Sequence, residues 1–288
     1  MGSVRSLAKT AGSTGKPASA TLTALLSLGR PLVMGILNVT PDSFSDGGQF
    51  LDPAAAIAHA AEMIQQGADI LDIGAESTRP YGGAIPVSAD DEKARLAPVL
   101  PEVVKLGVPV SIDTIKAPIA AWAIDQGATI INDVWGLQRD TGMAPLVAKV
   151  GAPVIVMHNR ETADAAIDIV PDVIAFFSRS LEIARRAGIA SERIVLDPGI
   201  GFGKTPEQSI TCLARLEEFK RFGLPLLVGA SRKRFISTIT PSPPDRRIGG
   251  SLSAHLLAVQ KGVAIIRAHD VAETVQALRV SAAIEAAR

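Results

Sequence analysis

The sequence has a single cysteine in 288 residues, which excludes an internal disulfide and points to a reducing compartment. Net charge is missing too: 29 Lys+Arg stand against 29 Asp+Glu. Without a global basic field, nucleic acid or an anionic membrane is a poor expectation for the partner. Aromatic residues make up only 4%, so the core must be built from Ala, Val, Ile and Leu, the types that fill buried parallel strands. No apolar run is long enough to cross a bilayer. What is present is 47% hydrophobic and 20% charged, which excludes a disordered chain and supplies a sizeable core. These counts lead to the expectation of a soluble, globular, cytoplasmic protein.

The first thirty residues are rich in Ser, Thr, Ala, Gly and Lys and contain no acid. They read as a low-complexity tail whose last part, Leu22 to Leu28, packs on the domain formed by residues 31–288. From Pro31 onward, short β-branched runs alternate with helical spacing. The runs are Leu32 to Val39, Ala68 to Gly74, Pro109 to Thr114, Thr129 to Val134, Pro153 to His158, Ile194 to Asp197, Leu224 to Gly229 and Val263 to His269. Helical spacing covers Pro53 to Gln66, Asp90 to Leu106, Pro171 to Ala187, Pro206 to Phe222 and Ser251 to Lys261. Gly67, Gly107, Gly127, Gly151, Gly188, Gly223 and Gly262 stand where helices stop, and Asp52, Ser88, Thr205 and Gly250 where helices start. Strands alternating with helices give βαβ units and a parallel sheet. Eight such units over about 255 residues match an α/β fold of the (β/α)8 TIM-barrel type. A doubly wound sheet would open with a Gly-rich phosphate turn, whereas the first strand here runs into Asn38-Val39-Thr40-Pro41.

In such a barrel the C-terminal strand ends carry the chemistry. Those ends hold Asn38, Glu76 to Arg79, Asp113, Asn132-Asp133, His158, Asp197, Ser231 to Lys233, and Arg267 with His269. Any one of them could be a helix cap, but eight polar ends on one rim mark a site. A nucleophile system is missing. Cys212 lies in a helical pattern and reads as packing, no Ser occupies a G-x-S-x-G elbow, and His59 and His255 fall inside helices. His158 and His269 alone are weak grounds for zinc. What remains is a set of planar hydrogen-bonding groups (Asp113, Asn132, Asp197) beside the cations Arg79, Lys233, Arg267 and, when protonated, His269. Carboxylates and an amide suit an aminopyrimidine-like heterocycle, because a carboxylate accepts two parallel N–H bonds. The cations suit a phosphate-like anion, and Asn38 offers a neutral oxygen to Mg²⁺. Thr40 to Gly48 and Ser77 to Gly83 are Gly-containing loops able to close over a reacting centre.

Seven strings then carry a resemblance: MGILNVTPDSFSDGG (34–48), GAESTRP (74–80), SIDT (111–114), INDV (131–134), DPGIGFGKT (197–205), LVGASRK (227–233) and IIRAHDV (265–271). In order and one per strand end, they resemble the dihydropteroate synthases. The resemblance implies condensation of 6-hydroxymethyl-7,8-dihydropterin diphosphate with 4-aminobenzoate, a folate-pathway step that sulfonamides inhibit. It implies that Asp113, Asn132, Asp197 and Lys233 hold the pterin, with Arg267 against the ring. Asn38 would ligate Mg²⁺, while Arg79, Arg267 and His269 take the diphosphate. Phe44, Thr78, Pro80 and Lys233 would frame the aminobenzoate, and Asp46 with Asp113 would stabilise positive charge on the pterin. It further implies a homodimer formed through outer helices. Arg234 departs from the pattern, replacing a small Ser found in several members of the family.

Two other readings fit parts of the chain. A methyltetrahydrofolate-using methyltransferase barrel explains the Asp/Asn/Asp cradle but does not need Arg79, Asn38 or TPDSFSDGG. A catalytically silent pterin-binding paralogue should have lost loop or diphosphate residues, and all are present here.

Overall fold

The computed structural model describes residues 21–40, 52–76 and 87–287. Its strands are β1 Leu32–Asn38, β2 Ile70–Gly74, β3 Val110–Asp113, β4 Ile130–Asp133, β5 Val154–Met157, β6 Ile194–Asp197, β7 Leu227–Val228 and β8 Ile265–Ala268. All pair in parallel, in the order β6-β5-β4-β3-β2-β1-β8-β7. A bridge between Leu196 and Leu226 joins the two ends, with the Leu196 amide donating to the Pro225 carbonyl at 2.9 Å. The expected (β/α)8 barrel is therefore the observed architecture.

The helices are α1 Leu22–Leu26, α2 Pro53–Gln65, α3 Ala89–Leu96, α4 Leu100–Val104, α5 Ala117–Asp125, α6 Met143–Val150, α7 Ile169–Ala187, α8 Pro206–Ala214, α9 Arg234–Ile239, α10 Ile248–Gln260 and α11 Val271–Ala286. Asp52 and Ser88 cap α2 and α3 through their side-chain oxygens, and Thr205 forms a capping box with Gln208 on α8. Gly151 and Gly188 end α6 and α7 in the left-handed conformation (φ 69° and 84°) that a Cβ disfavours.

Three sequence expectations are corrected. Gly250 does not start a helix but lies in the first turn of α10, where a Cβ would come 2.4 Å from Ile236. The stretch Asp90 to Leu106 splits into α3 and α4, because Pro98 has no N–H for the Ala94 carbonyl. Pro206 to Phe222 leaves α-helical geometry at Arg215 (φ −112°, ψ 26°) and continues as a 3₁₀ segment, Leu216–Phe222.

The period of two along each strand sorts the residues into layers. Leu32, Met34, Ile70, Ile130, Ile155, Val195, Leu227 and Ile265 fill the barrel's N-terminal half, and Leu22 of α1 joins them at 3% exposure. Alternate residues such as Leu71, Ile112, Ile131, Val154, Leu196 and Ile266 face the helix layer. Each such fully buried aliphatic side chain contributes about 1.5–3 kcal/mol. Two residues further along the inward rows, the apolar layer gives way to Asp72, Asp113, Asn132, Asp197 and Arg267, all on strands already fixed by packing below.

Candidate active site

A cavity at the C-terminal end of the barrel is lined by Asp113, Asn132, Asp197, Lys233 and Arg267, with Val134, Met157, Ile200 and Phe202 as its apolar walls. The five polar groups come from β3, β4, β6, the segment after β7, and β8, so distant stretches of sequence converge on one point. Gly74 on β2 makes room for this layer, since a Cβ there would approach the Asp113 Cβ to 3.3 Å. The alternation also separates Asn132 from its neighbour. Asp133 turns away from the cavity and accepts from the amides of Trp135 and Leu137 at 2.9 and 2.7 Å, which fixes the turn after β4.

Arg267 is the hub. Its Nε donates to Asp72 Oδ2 at 2.6 Å and its Nη2 to Asp113 Oδ2 at 3.0 Å. Asp72 Oδ2 also accepts from Asn132 Nδ2 at 3.1 Å. Burial pulls the guanidinium pKa down, but Asp72, Asp113 and Asp197 together hold it above its ordinary value. Burial, then the Asp72 charge, push the Asp113 carboxyl up to about 7 against the pull of Arg267. Burial likewise raises Asp197 to about 6, opposed by the Gly199 amide and by Arg267, Lys233 and Lys204. Two carboxyl groups facing one cavity thus titrate near neutrality, which marks functional ground.

The loop after β6 completes the wall. Gly199 N donates to Asp197 Oδ1 at 2.7 Å, and the Phe202 ring lies 3.9 Å from Lys233 Nζ. Behind this loop, fully buried Lys204 places Nζ 2.6 Å from His158 Nδ1, 2.9 Å from the Gly199 carbonyl and 3.1 Å from the Phe202 carbonyl. His158 Nε2 lies 3.0 Å from Asp172 Oδ2. Burial and the Lys204 charge lower His158 to about 4, so its ring is neutral. Burial also lowers Lys204 to about 8, which leaves it charged at pH 7.

At the rim, the His269 amide donates to Ser231 Oγ at 3.1 Å, and His269 Nδ1 lies 3.0 Å from the same oxygen. Burial, then Arg267, Arg232 and Lys233, press His269 down to about 3. The positive charge expected at this strand end therefore resides on Arg267, and His269 is a neutral hydrogen-bonding ring. Arg232 pairs with Asp270 and accepts Arg247 Nη1 on its carbonyl at 3.0 Å, which ties the segment after β7 to the end of β8. Arg234 is exposed at the start of α9 and is not among the cavity-lining residues. Glu76 at the end of β2 accepts from Lys116 Nζ at 2.5 Å, and buried Glu92 does so at 2.7 Å.

Asn38 ends β1, half-buried at the rim. Phe44, Asp46, Thr78, Arg79 and Pro80 lie outside the described residues. Cys212 and His255 are buried in α8 and α10, as packing residues, and His59 lies on α2 beside Glu62. Among the described residues no cluster of three or more His, Cys, Asp or Glu side chains could hold a metal ion, and no helix is long and apolar enough to cross a membrane.

Two members of this constellation escape a reading of strand ends. Asp72 sits mid-strand in ILDIG, where a lone carboxylate in an apolar run was the available signal. Lys204 lies within DPGIGFGKT, and nothing in that spacing says that its ammonium turns inward.

The profile of the pterin-binding enzymes matches residues 34–269. The dihydropteroate synthase of Bacillus subtilis (strain 168) is 47% identical over 243 residues, covering 84% of each chain. Among solved structures, a Xanthomonas albilineans dihydropteroate synthase in complex with 7,8-dihydropteroate is 42% identical, with a TM-score of 0.82 over 90% of this chain and 95% of that one. The Yersinia pestis enzyme with a sulfonamide drug is also 42% identical, with a TM-score of 0.83 over 91% and 96%. Sequence, fold and the cavity at the strand ends agree that the chain belongs to the dihydropteroate synthases, transferases of the pterin-binding enzyme family.

Proposed function

We propose that the cavity condenses 6-hydroxymethyl-7,8-dihydropterin diphosphate with 4-aminobenzoate, giving 7,8-dihydropteroate and diphosphate. The observation that carries this reading is the convergence of Asp113, Asn132, Asp197, Lys233 and Arg267 on one cavity with apolar walls. A flat ring with an aminopyrimidine edge needs such a wall with hydrogen-bonding groups in its plane. Asp197 and Asn132 take the ring's polar edge, Lys233 a ring acceptor, and the Arg267 guanidinium, held by Asp72 and Asp113, lies against the ring.

The C–O bond to diphosphate breaks first, and the electron pair leaves with the phosphate oxygen. The electron-rich dihydropterin delocalises the cation left on its exocyclic carbon. The 4-aminobenzoate nitrogen then attacks that carbon and sheds a proton. The protein's contribution is electrostatic: Asp113 faces the developing cation and is assisted by the charge of Asp46, while Arg267, Arg79 and His269 receive the departing anion. Removing one preorganised partner of this kind typically costs about 3–4 kcal/mol in the barrier. Phe44, Thr78, Pro80 and Lys233 frame the aminobenzoate, and sulfonamides compete there.

The donor set at the rim fits Mg²⁺ only as an ion carried with the diphosphate. Asn38 offers one neutral oxygen, and the described residues contain no carboxylate or imidazole cluster around it. In that role the ion would supply charge neutralisation on the leaving group.

We also infer a homodimer in the cytoplasm. Leu257 on α10 and Val280 and Ile284 on the neighbouring α11 are exposed by 40%, 55% and 60%, apolar side chains that a second copy would cover.

The test is to follow diphosphate release and conjugate formation with both substrates, with and without Mg²⁺. Stoichiometric, Mg²⁺-dependent turnover, lost in a folded Lys233→Ala variant, is the expected result. Pterin binding without turnover, or full activity in Lys233→Ala, would overturn the reading.

A further inference from the structure

Lys204 lies behind the cavity wall rather than in it, and the reaction outlined above gives it no role. Its Nζ has three N–H bonds to give and three acceptors within reach: the Gly199 carbonyl at 2.9 Å, the Phe202 carbonyl at 3.1 Å and His158 Nδ1 at 2.6 Å. Because Nδ1 accepts, the imidazole proton sits on Nε2, 3.0 Å from Asp172 Oδ2. Arg160 Nη1 donates to the same carboxylate oxygen at 3.2 Å.

The two carbonyls belong to the loop that shapes the pocket. Gly199 has φ 65°, and a Cβ there would stand 2.0 Å from the His158 carbonyl, so the loop is pressed onto the end of β5. The residue whose carbonyl Lys204 grips is the residue whose amide holds Asp197 Oδ1 at 2.7 Å. The other gripped carbonyl is that of Phe202, whose ring lies 3.9 Å from Lys233 Nζ. Both cavity groups therefore take their orientation from one buried ammonium.

We propose that Lys204, braced by His158 and Asp172, is a positioning residue that sets Asp197 and Lys233 for the dihydropterin ring and reaches the aminobenzoate subsite only through Lys233. The proposal rests on the cavity being the dihydropterin site.

The test compares Lys204→Met, His158→Leu and His158→Asn with the wild type. The readouts are calorimetric titration of 6-hydroxymethylpterin and the KM for each substrate. His158→Asn keeps an oxygen near the place of Nδ1, whereas His158→Leu leaves the ammonium short of one acceptor. Losing a hydrogen bond to a charged group costs roughly 10-fold or more in affinity. Lys204→Met and His158→Leu should weaken pterin binding and raise the KM for the dihydropterin diphosphate by that factor, with a smaller rise in the KM for 4-aminobenzoate, which only Lys233 transmits. His158→Asn should recover most of the loss. If Lys204→Met does not fold, the His158 pair decides alone. Equal losses in Asn and Leu, wild-type pterin affinity in Leu, or matched rises in both KM values would overturn the proposal. Failure of the wild type itself to bind the pterin would instead sink the reading of the cavity, and the proposal with it.

Discussion

Replacing Asp72 by Asn keeps the shape of the side chain and removes its charge. Asp72 is fully buried, with Oδ2 accepting from Arg267 Nε at 2.6 Å and Asn132 Nδ2 at 3.1 Å. An amide oxygen can accept both bonds, so the perturbation is mainly coulombic. Two unit charges about 4 Å apart at an effective dielectric near 20 interact by about 4 kcal/mol. Stranding a buried charge costs about 3–5 kcal/mol, but Arg267 keeps Asp113 at 3.0 Å, so we expect a loss of about 2–3 kcal/mol. The sign of its pH dependence follows from Asp113, which Asp72 helps to push up to about 7. In the wild type the folded state holds a proton on Asp113 that the unfolded chain has released, so the Asp113 contribution to stability falls as pH rises toward 7. Without Asp72 the Asp113 pKa drops, that decline shrinks, and the deficit of Asp72→Asn becomes smaller at pH 7.5 than at pH 5.5. Urea unfolding at the two pH values measures both quantities. A deficit below about 1 kcal/mol, or one that grows with pH, would refute the shared-charge account.

Four further outcomes follow from other parts of the molecule. Gly199→Ala should abolish pterin binding and cost more than about 3 kcal/mol by urea unfolding, because its Cβ meets the His158 carbonyl at 2.0 Å in a left-handed backbone; soluble, active Gly199→Ala would contradict this. Stability should be nearly flat from pH 5 to 6. There His158, His255 and His269, lowered to about 4, 4 and 3, take up protons on unfolding, while Asp113, Asp133 and Asp197, raised to about 7, 6 and 6, release as many; a slope of more than one proton across that window would refute the balance. Cys212, fully buried and with burial pushing its thiol up to about 11, should react with a thiol reagent only as fast as the chain unfolds, and rapid labelling of the native protein would count against its placement. Val280→Arg should leave a folded monomer by sedimentation, and an unchanged dimer would remove α11 from the proposed interface.

Much of this arrangement was legible because a barrel ties position to function. Once Ile194 to Asp197 reads as a strand, Asp197 stands at its catalytic end, and the same step places Asp113, Asn132 and Arg267. Boundaries shifted where ladder hydrogen bonds stop before the β-branched pattern does, as in β7, which keeps only Leu227 and Val228 of the stretch Leu224 to Gly229. Gly250 misled because a glycine beside a helix start is as compatible with close packing as with a cap. Asp72 and Lys204 were hidden for a different reason. Their roles depend on which partner lies across the barrel or behind a loop, as with Arg267, 195 positions away from Asp72 in sequence. Spacing along the chain carries no trace of that distance.

The buried groups also bear on how one site would bind a neutral ring and then tolerate a cation, as the proposed reaction requires. Burial and the Asp72 charge outweigh the pull of Arg267, so the Asp113 carboxyl holds a proton near neutrality. A positive charge growing on the proposed dihydropterin would favour the ionised form of Asp113. Asp197 differs in having the Gly199 amide and three nearby cations, which favour its ionised form, the form that its proposed role of accepting N–H bonds from the ring requires. Two carboxyls on one cavity are thus separated in role by their neighbours. Asp72 and Lys204, neither lining the cavity, are the residues that set those neighbours in place.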